Sequence, residues 1–93
     1  MNLKEFVSQA IRVTRKVLEL RRDYHFICDD TFYLYIYYLN KLDDYLSKVF
    51  LYDFDTTLTI ISDWNPKSPN SVSSSVKNLL ISNFFVLKIF QKY

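Results

Sequence analysis

The sequence predicts an all-α or mainly α protein, a compact bundle of three to four helices that can include a helix-turn-helix unit and at most one short C-terminal strand. Three observations lead there. Apolar residues recur at helical spacing along most of the chain. No glycine occurs among the 93 residues, which excludes hairpins built on Asn-Gly or Gly-X turns, glycine-rich phosphate loops and dinucleotide fingerprints, and argues against backbone at positive φ. An apolar share of 49% with 18% aromatic residues belongs to a chain with a core. The length suits a single domain over residues 1–93, since domains commonly run to roughly 100–150 residues.

The first helix is announced by Asn2 and Glu5, at the cap and third positions of a helix start. Leu3, Phe6, Val7, Ala10, Ile11, Val13, Val17 and Leu18 then recur with helical period, and the helix runs to the low twenties. Its other face carries Arg12, Arg15, Lys16, Glu19 and Arg22 in one mostly positive stripe, with Arg21 beside it.

A second helix starts at the cap signals Asp29, Asp30 and Thr31. Its opening turns, Phe32 to Leu39, are apolar in every direction and rich in β-favouring residues. Helix is preferred because no turn residue separates them from the one-sided pattern that follows. That pattern places Leu39, Leu42, Leu46, Val49 and Phe50 inside and Asn40, Lys41, Asp44, Ser47 and Lys48 outside, through about residue 52. Phe32, Tyr33, Tyr35, Ile36, Tyr37 and Tyr38 exceed what one small core needs, and tyrosines can bury the ring while leaving the hydroxyl wet. They form a candidate interface, for a homodimer or a tight protein partner.

Asp53 and Asp55 with Thr56 and Thr57 mark a break and a new cap, and Leu58, Ile61 and Trp64 outline a helix of about two turns. Pro66 and Pro69 end it. Ser68 and Pro69 then read as cap and first turn of a further helix, with Val72, Val76, Leu79 and Leu80 inside, Ser71, Ser74, Ser75 and Asn78 outside, and Ser73 and Lys77 flanking. Residues 84–93 fit either a continuation of that helix or a strand.

Charge and cysteine usage bound the function. The net charge of +2 is unevenly spread. Residues 1–23 hold six basic and three acidic side chains, residues 24–56 two and six, and residues 57–93 four and one. A near-neutral chain can therefore still present a positive face. Cys28, the single cysteine, has no internal partner, and with no apolar leader segment and no run of roughly 20 apolar residues the expectation is a soluble, intracellular, cytoplasmic protein without a membrane partner. His25 lies three residues from Cys28, but no third orienting group accompanies the pair, and the adjacent pairs Asp29/Asp30 and Asp43/Asp44 diverge on a helix. The expectation is a non-enzyme with no cofactor, no metal and no small-molecule substrate. Heavy use of Tyr, Phe, Asn, Lys and Ile without Gly is what AT-rich codons encode, as in a virus, a plasmid or a low-GC microbe.

Residues 57–90 carry the one motif-like arrangement. A short helix is followed by a tight polar connection and then by Ser68-Pro69-Asn70-Ser71-Val72-Ser73-Ser74-Ser75-Val76-Lys77-Asn78-Leu79, with Asn83-Phe84-Phe85-Val86 after it. This resembles the helix-turn-helix half of winged-helix DNA-binding proteins, with the last four residues where a strand would begin. The resemblance implies duplex DNA as partner, with Ser71, Ser74, Ser75 and Asn78 facing bases, Asn70, Ser73 and Lys77 at the margin, and Lys67 and Lys88 reaching phosphates. Arg12, Arg15, Lys16 and Arg22 offer a second, salt-sensitive contact to phosphates. Two functions are thus expected: a dimeric helix-turn-helix regulator or DNA-organising factor, or a non-enzymatic helical inhibitor or adaptor working through the Tyr-rich 32–38 surface.

Overall fold

A computed structural model describes residues 2–67 and 70–91. Four helices account for most of them: α1 (Leu3–Asp23), α2 (Asp29–Lys48), α3 (Phe54–Asp63) and α4 (Ser71–Gln91). Among the described residues there is no strand. The Asn2 side chain caps α1 by accepting from the Glu5 N–H at 2.8 Å, as the sequence predicts. Arg21 and Arg22 in the last turn oppose the negative end of the helix dipole.

The α1–α2 turn closes without glycine. The His25 N–H donates to the Arg22 carbonyl at 3.0 Å and the Phe26 N–H to the Arg21 carbonyl at 2.7 Å, the paired bonds of a Schellman ending. His25 takes the left-handed position with φ 64°. The expectation that a glycine-free chain avoids positive φ is therefore corrected at this one residue. A non-glycine side chain there sets its Cβ against the carbonyl, at a cost of about 1–2 kcal/mol.

α1 and α2 form an antiparallel hairpin: the Arg22 guanidinium lies 4.1 Å from the Phe32 ring centroid, and Arg15 Nη2 donates to Asn40 Oδ1 at 2.7 Å. α2 ends at Lys48, earlier than the sequence predicts. From Val49 the backbone is extended (φ −104°, ψ 154°), and with period two Val49 and Leu51 turn inward while Phe50 and Tyr52 turn out. Phe50 is therefore exposed and not part of the α2 core face.

α3 opens on Asp53, whose carboxylate accepts from the Thr56 N–H at 2.7 Å. That bond and the Thr56 hydroxyl hold the Asp53 carboxyl below its ordinary range. A lowered folded pKa means the cap's contribution is complete above the unfolded aspartate pKa and is lost as pH falls through Asp53's own lower value.

α4 runs unbroken to Gln91, so residues 84–91 are helix. Its buried positions are Ser73, Val76, Leu80, Asn83 and Phe84, a face rotated from the one the sequence predicts, which leaves Val72 and Leu79 half-buried. The start of the helix turns Ser73 inward. Asn70 and Ser73 form a reciprocal cap: Asn70 Oδ1 accepts from the Ser73 N–H at 2.9 Å, and Ser73 Oγ accepts from the Asn70 N–H at 3.0 Å and donates to the Asn70 carbonyl at 2.9 Å. The cap predicted on Ser68 and Pro69 lies outside the described residues.

α1, α2 and α4 each pack on the other two, while α3 rests mainly on α4. The Cα trace is flattened, 36 × 34 × 16 Å. Ala10, Leu18, Leu39, Leu42, Leu46, Ile61, Val76, Leu80 and Phe84 are fully or almost fully buried, and the Phe6, Phe54 and Phe84 rings meet at centroid distances of 5.2–5.9 Å. One polar link crosses this core, from Asn83 Nδ2 to Thr14 Oγ1 at 2.8 Å, with the Thr14 hydroxyl donating onward to the Ala10 carbonyl at 2.7 Å.

Two substitutions test this description in chemical denaturation. Asn83→Ala removes the crossing bond and leaves a cavity, so unfolding free energy should drop by about 1–3 kcal/mol; an unchanged midpoint would show that the link is unimportant. His25→Gly should raise stability by about 0.5–1 kcal/mol, because relief of the left-handed strain outweighs the added freedom of the unfolded chain.

Candidate functional site

The residues the sequence assigns to DNA are divided by the fold. Ser71, Ser74 and Asn78 are exposed along α4, and Ser75 is half-buried, its hydroxyl donating to the Ser71 carbonyl at 2.9 Å. Ser73 is 2% exposed and committed to the cap, so it does not reach a groove margin. Lys77 Nζ donates to the carbonyls of Ser62 at 2.7 Å and Trp64 at 2.8 Å. Its charge closes the C-terminal end of α3, where helix carbonyls lack partners.

The α1 stripe is divided in the same way. Arg15 is bonded to Asn40. Arg22 stacks on Phe32 and approaches Asp23 at 3.4 Å. Lys16 lies 3.9 Å from Glu19, an exposed contact of small worth. Arg12, Lys16 and Arg21 are exposed, whereas Arg15 and Arg22 are half-buried and hold α2 against α1.

The predicted interface separates by helical phase. Phe32 is buried in the core, and Tyr35, Ile36 and Tyr38 are half-buried against it. A residue facing inward is unavailable to a partner, so the surface is narrower than the predicted one. It consists of Tyr33, Leu34 and Tyr37, at 64%, 49% and 53% exposure. Tyr45 continues the exposed α2 face toward its C-terminal end. Sequence reasoning passed over Leu34, whose place on this face follows from its position one residue after Tyr33 and three before Tyr37.

Members of both predicted sets meet in one groove of about 610 Å³, lined by Tyr37, Tyr38 and Lys41 from α2 and by Trp64, Pro66 and Lys67 from the α3–α4 connection. Its walls are held by specific bonds. Asn70 Nδ2 donates to the Tyr38 hydroxyl at 2.7 Å, so the residue that caps α4 also ties that helix to α2. The Tyr37 and Tyr38 rings meet edge to face with centroids 5.2 Å apart, and Lys41 Nζ stands 5.4 Å from the Tyr37 centroid. Trp64 forms a nearly buried floor, and its backbone N–H donates to the Ile60 and Ile61 carbonyls. Trp64 and Lys41 had no place in the predicted site, because nothing local in the sequence brings residue 41 beside residues 64–67.

A second, shallow concavity of about 500 Å³ at the α1–α2 turn is lined by Arg22, Asp23, His25, Ile27, Cys28 and Asp29. Cys28 occupies the α2 cap position, its exposed sulfur 3.2 Å from Thr31 Oγ1. The Thr31 hydroxyl, helped by the Thr31 and Asp30 backbone N–H groups, holds the thiol below its ordinary range. Among the described residues, no three His, Cys, Asp or Glu side chains converge to hold a metal ion, and no helix is long and apolar enough to cross a membrane.

These features define an all-α bundle with an open, basic, aromatic-lined groove. In comparisons with known proteins, no family model, no curated protein and no solved structure matches the chain.

The Cys28 environment is directly testable. The pH–rate profile of alkylation by iodoacetamide should have its midpoint below that of cysteine in an unstructured peptide, and Thr31→Val should move that midpoint upward. Identical profiles for the two proteins would remove the Thr31 hydroxyl as the cause.

Proposed function

We propose that the chain is a non-enzymatic helical binding module that acts through protein contacts, and that the exposed face of α2 associates with a second copy of the chain. The exposure of Tyr33, Leu34 and Tyr37 on successive turns of one helix carries this reading. Covering such side chains gains about 25 cal/mol for each Å² removed from water, and tyrosine is among the residues that dominate interface energetics. α2 has Asp29 and Asp30 in its first turn and Lys48, paired with Asp44 at 3.0 Å, in its last. Two copies packed antiparallel about a two-fold axis bring the acidic first turn of each beside the Lys48 of the other, which can then bridge carboxylates of both copies.

Duplex DNA is the second reading, favoured by the exposed polar row Ser71, Ser74 and Asn78 on α4 and by exposed Arg12, Lys16 and Arg21 on α1. It draws on fewer cations than the sequence suggests, since Arg15, Arg22 and Lys77 are engaged within the fold. No arginine follows Arg22 in the chain, although arginine to guanine is the commonest specific contact.

Light scattering at roughly 100 µM chain, which saturates a contact of Kd near 1 µM, should give twice the 11.2 kDa chain mass. Tyr33→Ser with Leu34→Gln should return the monomer with unchanged helical circular dichroism. A wild-type monomer at that concentration defeats the self-association reading. Anisotropy with a mixed-sequence duplex at low salt tests the second reading, since affinity lost on Ser74→Glu and weakened by added salt would establish DNA in its place.

A further inference from the structure

We infer that the groove between α2 and the α3–α4 connection docks a short acidic peptide segment that carries one large apolar side chain. The inference rests on the reading of the chain as a binding module, and not on the self-association of α2. The groove's volume of about 610 Å³ falls in the usual range for ligand pockets, roughly 300–1,000 Å³. That is room for an anchoring side chain and the backbone beside it.

The lining has two chemical halves. Trp64 and half-buried Pro66 make an apolar floor, bounded by the Tyr37 and Tyr38 rings. This half is braced within the fold: the Pro66 ring limits φ, the Tyr38 hydroxyl accepts from Asn70, and the carbonyl of Trp64 accepts from Lys77. Preorganised walls reduce the entropy lost on binding. The other half is Lys41 and Lys67, both exposed. Among the described residues, no carboxylate lines the groove and neither lysine forms a salt bridge. Lys48, by contrast, pairs with Asp44 at 3.0 Å, and Lys77 donates to carbonyls. The Lys41 and Lys67 charges beside an apolar floor are complementary to a ligand with carboxylates flanking an apolar group.

The number of cations separates this ligand from nucleic acid. A protein that makes about 6–10 phosphate contacts brings a comparable number of cations to them, and bidentate phosphate recognition favours arginine, with lysine acting as a point charge. Among the described residues, two lysines and no arginine line the groove. Its charge suits two carboxylates close together, as on a short acidic stretch of protein.

Trp64 is the only tryptophan in the chain and lies in the groove floor, so its emission reports occupancy. The probe is the acetylated peptide Asp-Glu-Phe-Glu-Asp, with Asn-Gln-Phe-Gln-Asn as uncharged control, titrated at low salt into the wild-type chain and into the Tyr33→Ser/Leu34→Gln variant. Tyr37 borders both surfaces, and the variant releases it from the α2 contact while keeping every groove residue, so failure here is distinguishable from failure of the α2 contact. The acidic peptide should give a saturable change in Trp64 emission, about tenfold tighter than the control, the scale of two exposed ion pairs. Lys41→Glu with Lys67→Glu, both at exposed positions, should abolish that binding with unchanged circular dichroism and create affinity for Lys-Arg-Phe-Arg-Lys. No saturable change in either protein, equal binding of the control, or acidic binding retained after the double charge reversal would overturn the proposal. Tighter binding of oligo-dT than of the acidic peptide would also overturn it and assign the groove to single-stranded nucleic acid.

Discussion

Asn83 lies at the crossing of α1 and α4, where an amide would be costly unless it found a partner, and Thr14 across the core is the partner it finds. The Thr14 hydroxyl already donates to the Ala10 carbonyl, so it meets Asn83 as an acceptor and the polar chain runs one way. Sliding α4 along α1 by a turn would keep much of the apolar contact but strand the amide, at about 1–3 kcal/mol. That is a large part of the stability of a small domain. The bond thus selects one register among several that hydrophobicity alone would tolerate. With α1 and α4 fixed, α2 packs its Leu39, Leu42 and Leu46 row against both.

This arrangement draws heavily on the positive side chains. Arg15 and Arg22 fasten the hairpin, Lys77 closes α3, and Lys88 stands 4.1 Å from the Phe54 ring centroid. In a chain without glycine, helix ends and turns are completed by side chains and by a strained His25. Part of the positive charge is therefore committed to the fold, while Arg12, Lys16, Arg21, Lys41 and Lys67 stay exposed. The uneven charge along the sequence overstates the positive surface, because a count along the chain does not see which cations are already engaged.

The same economy shapes the candidate site. Asn70 caps α4 with its side-chain oxygen and braces Tyr38 with its side-chain nitrogen, so the start of α4 and the wall of the groove are one construction. Residues that sequence reasoning divides between a DNA surface and a protein interface, Lys67 on one side and Tyr37 and Tyr38 on the other, border a single cavity. The flattened shape of the bundle contributes as well, since a body 16 Å across its shortest Cα extent cannot hide every aromatic side chain of an apolar-rich chain.

Helical period, the absence of glycine and the caps at Asn2 and Asp53 were sufficient for the all-α class and the order of the helices, because each of these signals acts within one turn of backbone. The end of the chain was not legible in that way. Residues 84–90 have a strand-like composition, yet they continue α4, whose helical phase brings Asn83 to Thr14 and Phe84 to Phe6. The inward turn of Ser73 and Phe32, the loss of Lys77 from the surface and the meeting of Lys41 with Lys67 were equally out of reach. By itself the sequence determined where helices form and which residues could line a surface. Only the tertiary structure decided which of them do, since that depends on contacts between residues as many as 69 positions apart, where local propensity has no influence.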